Sequence, residues 1–331
     1  MSLTEKELNE IKEISERWLL EDLNHNTTLN SIYQVLKEVD YSSVIKAFTD
    51  RLDEIPYSFS ESEKVSGSIC FYGGVFTSLL NTGKVEEVEG LFTFALCYML
   101  IDHFLDDTKN SDTFKKQTMQ EIASFLIYGK EVPGNKLIDA AKERYNKLID
   151  RNPKTKDYLI ALFKSELEGV KVSNSKELDR NTYKKIAWEK GGRTSSAIAQ
   201  IIGLENSEES SHFICGSMIQ FVDDLIDIQD DQDLNIYTLA RYDLDRGTLD
   251  RYIYETMVEI NKLDSIYNFF KFILLEGLIL GIHDNPNSIS LPLSNILKKY
   301  DHFGSTSKDY LNHWFHEKLY GYIQEKIQTE N

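Results

Sequence analysis

The stretch Leu91-Phe92-Thr93-Phe94-Ala95-Leu96-Cys97-Tyr98-Met99-Leu100-Ile101-Asp102-His103-Phe104-Leu105-Asp106-Asp107 is almost wholly apolar until it ends in aspartates. Leu91, Phe94, Ala95, Tyr98, Met99, Ile101 and Leu105 recur at intervals of three and four, not two, which predicts a helix. At about 100° per residue, Asp102 and Asp106 fall on one face, about 40° apart. Ala95, Tyr98 and Met99 lie on that face one and two turns earlier. The spacing therefore predicts a greasy wall ending in carboxylates.

The same periodicity continues outward. Phe213, Ile214, Ile219, Val222 and Ile226 repeat it, and no hairpin turn sits between alternating strands. Only five prolines occur, and the long stretches between them are low in glycine, which permits many long helices. Loops are expected at Asn110–Asp112, Val132–Asn135, Asn152–Pro153 and Asp284–Asn287, and a helix break at Gly191–Gly192. No low-complexity linker or internal repeat divides the chain. The expectation is an all-α fold with one domain over residues 1–331.

Lys and Arg number 37 against 54 Asp and Glu, a net charge of −17. That excludes a nucleic-acid binder, which needs a basic face to displace counterions from phosphate, and argues against anionic membranes. The N-terminus is charged and amphipathic, without the apolar core of a signal peptide. The greasiest run, Phe270 to Ile282, contains Lys271 and Glu276 and reads as a buried helix rather than a membrane span. Cys70, Cys97 and Cys215 are scattered and form no CxxC pair, which reads as buried, reduced thiols of a cytoplasmic protein.

A second cluster runs Gln220-Phe221-Val222-Asp223-Asp224-Leu225-Ile226-Asp227-Ile228-Gln229-Asp230-Asp231. Asp223, Asp227 and Asp231 stand at i, i+4 and i+8, one row on a continuous helix. Like charges at that spacing repel, while the interleaved Phe, Val, Leu and Ile indicate a packed helix. Such a row calls for cations. All candidate ligands are oxygen and the histidines form no HxxxH or HExxH pair, so Mg²⁺ fits and zinc does not.

With both clusters in view, the sequence resembles the class I isoprenoid synthases, the superfamily of trans-prenyl diphosphate synthases and terpene cyclases. Gly216-Ser-Met-Ile-Gln220-Phe-Val-Asp223-Asp224-Leu-Ile-Asp227 is similar to the second motif of prenyl synthases, G-x-x-F-Q-I-x-D-D-x-x-D. It also overlays the cyclase triad N-D-x-x-S-x-x-x-E, with Asp223, Asp227 and Asp231 in the Asn, Ser and Glu places. Tyr183 and Lys190 match the family's Y-x₆-K element, whose lysine contacts diphosphate, and Gly191–Gly192 resembles the break before the second metal motif. The motif-bearing resemblance runs from about residue 70 to 240. It implies a single helical bundle with metal ligands Asp102, Asp106, Asp107, Asp223, Asp227 and Asp231, holding three Mg²⁺ ions for which Mn²⁺ can substitute. Asp102, Asp223 and Asp227 would be the catalytic members.

The departures from the family choose the branch. Chain-elongating synthases carry G-G-K-x-x-R-P and an Arg-Arg pair for isopentenyl diphosphate. Here the early region reads Ser66-Gly-Ser-Ile-Cys-Phe-Tyr-Gly-Gly-Val75 and Thr108-Lys-Asn-Ser-Asp-Thr-Phe-Lys-Lys116 follows Asp107. The resemblance thus implies a terpene synthase that ionises and cyclises one allylic diphosphate, with a chain-elongating synthase and a non-catalytic helical binder as rivals. Asp230 stands where cyclases place a lysine, and Arg180 is close to the usual sensor distance. Lys190, Arg180, Arg193, Gln220 and Asp224 are the expected diphosphate contacts, with Lys318 and Tyr320 in a C-terminal lid. Phe71, Tyr72, Phe76, Phe94, Tyr98 and Trp188 could face a carbocation, each ring worth about 0.5–2 kcal/mol. A bulky residue at Tyr98 limits chain length in the family and implies farnesyl diphosphate. A homodimer is the expected assembly.

Overall fold

In the computed structural model the quoted apolar stretch is helix α3, Val88–Asp106. The structure describes residues 3–20, 52, 59, 61–83, 86–106, 109–129, 136–172, 175–204 and 210–300. Asp107, Lys318 and Tyr320 lie outside the described residues, as do the side chains of Asp102, His103 and Asp106. The loop expected at Val132–Asn135 lies outside them too.

Everything regular among the described residues is helical, so the fold is all-α. Helix α1 (Glu5–Ser15) runs into a π-helical turn, Glu16–Leu20. Then come α2 (Glu61–Thr82), α3, α4 (Asp112–Tyr128), α5 (Lys136–Arg151) and α6 (Thr155–Val172). They are followed by α7 (Arg180–Ile201), α8 (Ser211–Ile226), α9 (Ile228–Asp233) and α10 (Leu239–Asp245). The last are α11 (Leu249–Lys262), α12 (Asn268–Asp284) and α13 (Leu291–Leu297). Local chemistry sets several ends. Thr4 caps α1 in a reciprocal capping box with Glu7, and the Ser111 hydroxyl accepts the Phe114 N–H at the start of α4. Gly129 ends α4 at φ 64°, a left-handed conformation that glycine adopts without a Cβ clash.

The described residues fall into two compact units, drawn from 1–43, 174–188 and 217–331 in one, and from 44–173 and 189–216 in the other. Neither is a continuous stretch, which is why no linker in the sequence marks a boundary. In the second unit α3 packs on α2 and α5, and α4 on α6. Its apolar residues cover nearly the whole circumference of α3, so the helix is buried, with Leu91, Phe94, Ala95, Leu96, Met99 and Leu100 in the core. Tyr145 and Phe163 meet edge to face at 5.2 Å. In the first unit α1 packs on α11 and α13, and α11 on α12. Helix α12 is the expected buried helix, and even its Lys271 and Glu276 are buried. Lys271 lies 4.8 Å from the centre of the Trp18 ring and donates to the Asn261 carbonyl. No helix among the described residues is long and apolar enough to cross a membrane.

Two local expectations are corrected. Gly191–Gly192 does not break α7, which runs unbroken from Arg180 to Ile201. These glycines admit a neighbour instead. A Cβ on Gly192 would sit 2.2 Å from the Phe213 ring, and one on Gly216 would sit 2.4 Å from the Gly191 carbonyl oxygen. The second correction is the aspartate row, which does not ride one continuous helix. Helix α8 stops at Ile226 and α9 begins at Ile228, so the break falls on the middle aspartate.

Candidate functional site

The break at Asp227 organises the second cluster. Asp227 has φ −85° and ψ 6°, the bridge region between helix and strand. The backbone ladder nevertheless persists: Asp227 N–H donates to the Asp223 carbonyl at 2.9 Å and Asp231 N–H to the Asp227 carbonyl at 2.8 Å. The three aspartates are thus joined by successive main-chain hydrogen bonds. Repulsion within a row of like charges makes this the place where a straight helix is least favoured. Asp227 is also the N-cap of α9, yet its side chain makes no capping hydrogen bond.

Asp223 and Asp227 are exposed, and Asp231 is half-buried. Asp224 is turned inward at 7% exposure and accepts a hydrogen bond from Gln220 Nε2 at 2.8 Å. Beneath it the Tyr252 hydroxyl donates to the Phe221 carbonyl. Burial, then the carboxylates of Asp224, Asp243 and Asp223, push that phenol well above the usual tyrosine range, so it stays a neutral donor. Ser217 Oγ donates to the Trp188 carbonyl at 2.7 Å, and the Trp188 and Phe221 rings meet edge to face at 6.3 Å. Ile219, one turn before Asp223, is 45% exposed despite its place in the apolar repeat.

The expected basic residues are engaged by carboxylates that sequence reading missed. Arg180 Nε lies 2.9 Å from both carboxylate oxygens of Asp243, and its Nη1 lies 3.1 Å from Glu255 Oε2. Lys184 joins the same Glu255 at 2.6 Å. Asp243 is fully buried and also accepts from Thr248 Oγ1 at 2.6 Å. Burial alone would raise the Glu255 pKa, but Lys184 and Arg180 hold it below the ordinary carboxylate value. Lys190 lies 3.7 Å from Glu166 Oε2, the long end of an ion pair. Arg193 pairs with Glu189 at 2.8 Å and stacks over Phe213 at 5.4 Å.

Among the aromatic candidates, Phe71, Phe76 and Phe94 are buried core residues. Tyr72, Tyr98 and Trp188 are half-buried, and Tyr98 lies 6.5 Å from the Phe94 ring. Cys97 and Cys215 are buried thiols as expected, whereas Cys70 is half-buried; none of the three is in a disulfide. A cavity of about 530 Å³ in the same unit as α3 is lined by Gly90, Arg151, Ile201 and neighbours, not by Tyr98. Gly90 is twelve residues from Asp102, about 18 Å along a helix, so this cavity is separate from the aspartate end.

Among the described residues no group of three or more His, Cys, Asp or Glu gathers closely enough to enclose a metal. The second cluster offers instead exposed carboxylates one helical turn apart. That donor set fits Mg²⁺, which takes one or two carboxylates and completes its shell with water and substrate phosphate. No family model, curated protein or solved structure matches the chain.

Proposed function

We propose that this protein is a class I terpene synthase, which ionises an allylic prenyl diphosphate, farnesyl diphosphate by preference, and cyclises it to a sesquiterpene with release of pyrophosphate. The observation that carries the reading is the arrangement of the second cluster. Asp223 and Asp227 are exposed one helical turn apart while Asp224 between them is buried, and the helix breaks at Asp227. The first cluster, Asp102, Asp106 and Asp107, joins the reading through its motif resemblance alone.

Asp223, Asp227 and Asp231 would hold Mg²⁺, which would supply Lewis-acid neutralisation of the departing diphosphate. The chain's own part is to hold carboxylates at fixed spacing, to present Lys190 to the diphosphate, and to keep water from the cation with apolar and aromatic walls. Arg180 is the weakest of the diphosphate contacts inferred from the family, because Asp243 and Glu255 already engage it. Mass spectrometry of products from C10, C15 and C20 diphosphates with Mg²⁺ tests the reading. A hydrocarbon or terpene alcohol from the C15 substrate alone is expected; no pyrophosphate release from any of them would leave a non-catalytic helical binder.

One observation favours a chain-elongating synthase as the second reading. Gln220 donates to Asp224 one turn on, joining the two residues that the prenyl synthase motif holds at that spacing. A longer diphosphate formed only when isopentenyl diphosphate is added would establish it.

A further inference from the structure

Arg241, on α10, is 92% buried by complement of its 8% exposure, and no carboxylate among the described residues pairs with it. Its Nη1 donates to two main-chain carbonyls, those of Asp231 and Ile236, each at 2.9 Å. Its guanidinium lies 4.2 Å from the centre of the Tyr237 ring. The Asp231 carbonyl also accepts the Ile236 N–H at 2.8 Å, and Asn235 adopts φ 58° to let the chain turn back. One arginine thus ties the end of α9 to α10 through the backbone of the last aspartate in the row.

That arrangement is expensive for a plain helix cap. The Nε of Arg241 is buried with no hydrogen-bond partner among the described residues. An uncharged donor could close a six-residue helix at lower desolvation cost. What only a cation adds is a fixed positive charge at the negative end of α9, the helix that carries Asp231. We propose that Arg241 is the positioning residue of the candidate metal site. It fixes the main chain that carries Asp231, without touching substrate. This rests on the terpene synthase reading of the same cluster.

The test uses the full-length chain and the variants Arg241→Gln, Arg241→Lys, Asp231→Asn and Arg241→Gln with Asp231→Asn. Mn²⁺ binding is followed by the electron paramagnetic resonance of the free ion, and pyrophosphate release from farnesyl diphosphate is followed against Mg²⁺ concentration. Residues that orient metal ligands typically contribute about 10–100-fold to metal affinity. Arg241→Gln should therefore raise the Mn²⁺ half-saturation by about tenfold and raise the Mg²⁺ requirement in parallel. The KM for the diphosphate at saturating metal should hold. The double variant should lose no more than the worse single one, and Arg241→Lys should recover part of the affinity. Melting curves choose a temperature at which each variant is folded; where Arg241→Gln does not fold, Arg241→Lys carries the comparison, with a smaller loss expected. A folded variant that binds Mn²⁺ within twofold of the parent, or additive losses in the double variant, overturns the proposal while leaving the terpene synthase reading intact. A parent chain that neither binds Mn²⁺ nor releases pyrophosphate overturns both.

Discussion

Three side chains carry opposite expectations under one change. Asp227 is exposed and makes no cap, so Asp227→Ala should leave helical circular dichroism unchanged and abolish pyrophosphate release. Loss of both together would make Asp227 structural. Arg180 is the reverse case. Its removal strands the fully buried Asp243, and breaking a buried pair in that way costs about 3–5 kcal/mol. Arg180→Met should therefore unfold at distinctly lower urea while the folded fraction keeps its product profile; a folded but inactive variant would return Arg180 to the role of diphosphate sensor. Tyr98 lies between these. It is half-buried beside Phe94, one turn before Asp102 on the helix face that the family uses for the prenyl tail. Tyr98→Ala should shift preference toward geranylgeranyl diphosphate and increase water-quenched alcohols. An unchanged product ratio from folded variant would mean that Tyr98 only packs.

At the scale of the helix, the crossing of α7 and α8 near Gly191, Gly192 and Gly216 is the tightest contact described. Gly216→Ala should be the more damaging substitution, because its Cβ meets a backbone carbonyl that cannot rotate away. Overpacked sites of this kind lose about 1–3 kcal/mol, read as a shift of the urea midpoint at constant slope. Gly192→Ala meets a ring instead, so pairing it with Phe213→Leu should restore part of the loss. The break between α8 and α9 obeys a different rule. No special residue accounts for it, since neither glycine nor proline stands at positions 226–228.

For the molecule as a whole, a net charge of −17 makes cations a stabilising influence. Mg²⁺ should raise the melting temperature above a NaCl control of equal ionic strength, because only a ligand that prefers the folded state shifts unfolding by mass action. Equal melting in the two salts would count against a specific site. A pH dependence also follows. His212 is buried, and that burial holds its imidazole below the ordinary histidine range near 6.5. As pH falls through about 6.5 the unfolded chain takes up a proton that the folded chain does not, so stability falls with pH until the folded group titrates too. His212→Gln should flatten the melting temperature over that window. Glu255, held low by Lys184 and Arg180, adds a separate loss only as pH falls below about 4.5 toward its folded value.

The all-helical class was legible in the chain because helix formation is local. The three-and-four spacing of α3 and α8 marks them as helices without knowledge of what covers them. The spacing of the aspartates was legible for the same reason, but the break at Asp227 was not. The tertiary structure decided whatever depended on a distant partner. Gly191 and Gly192 read as a break until Phe213 and Gly216 are seen against them. Asp223 and Asp224 are neighbours of one residue type, and only packing turns one outward and the other in. Arg180 read as a diphosphate contact because Asp243 and Glu255, 63 and 75 residues away, carry no local mark of pairing with it. Arg241 was invisible for a further reason: its partners are main-chain carbonyls, which every residue has, so no side-chain pattern in a sequence can announce them.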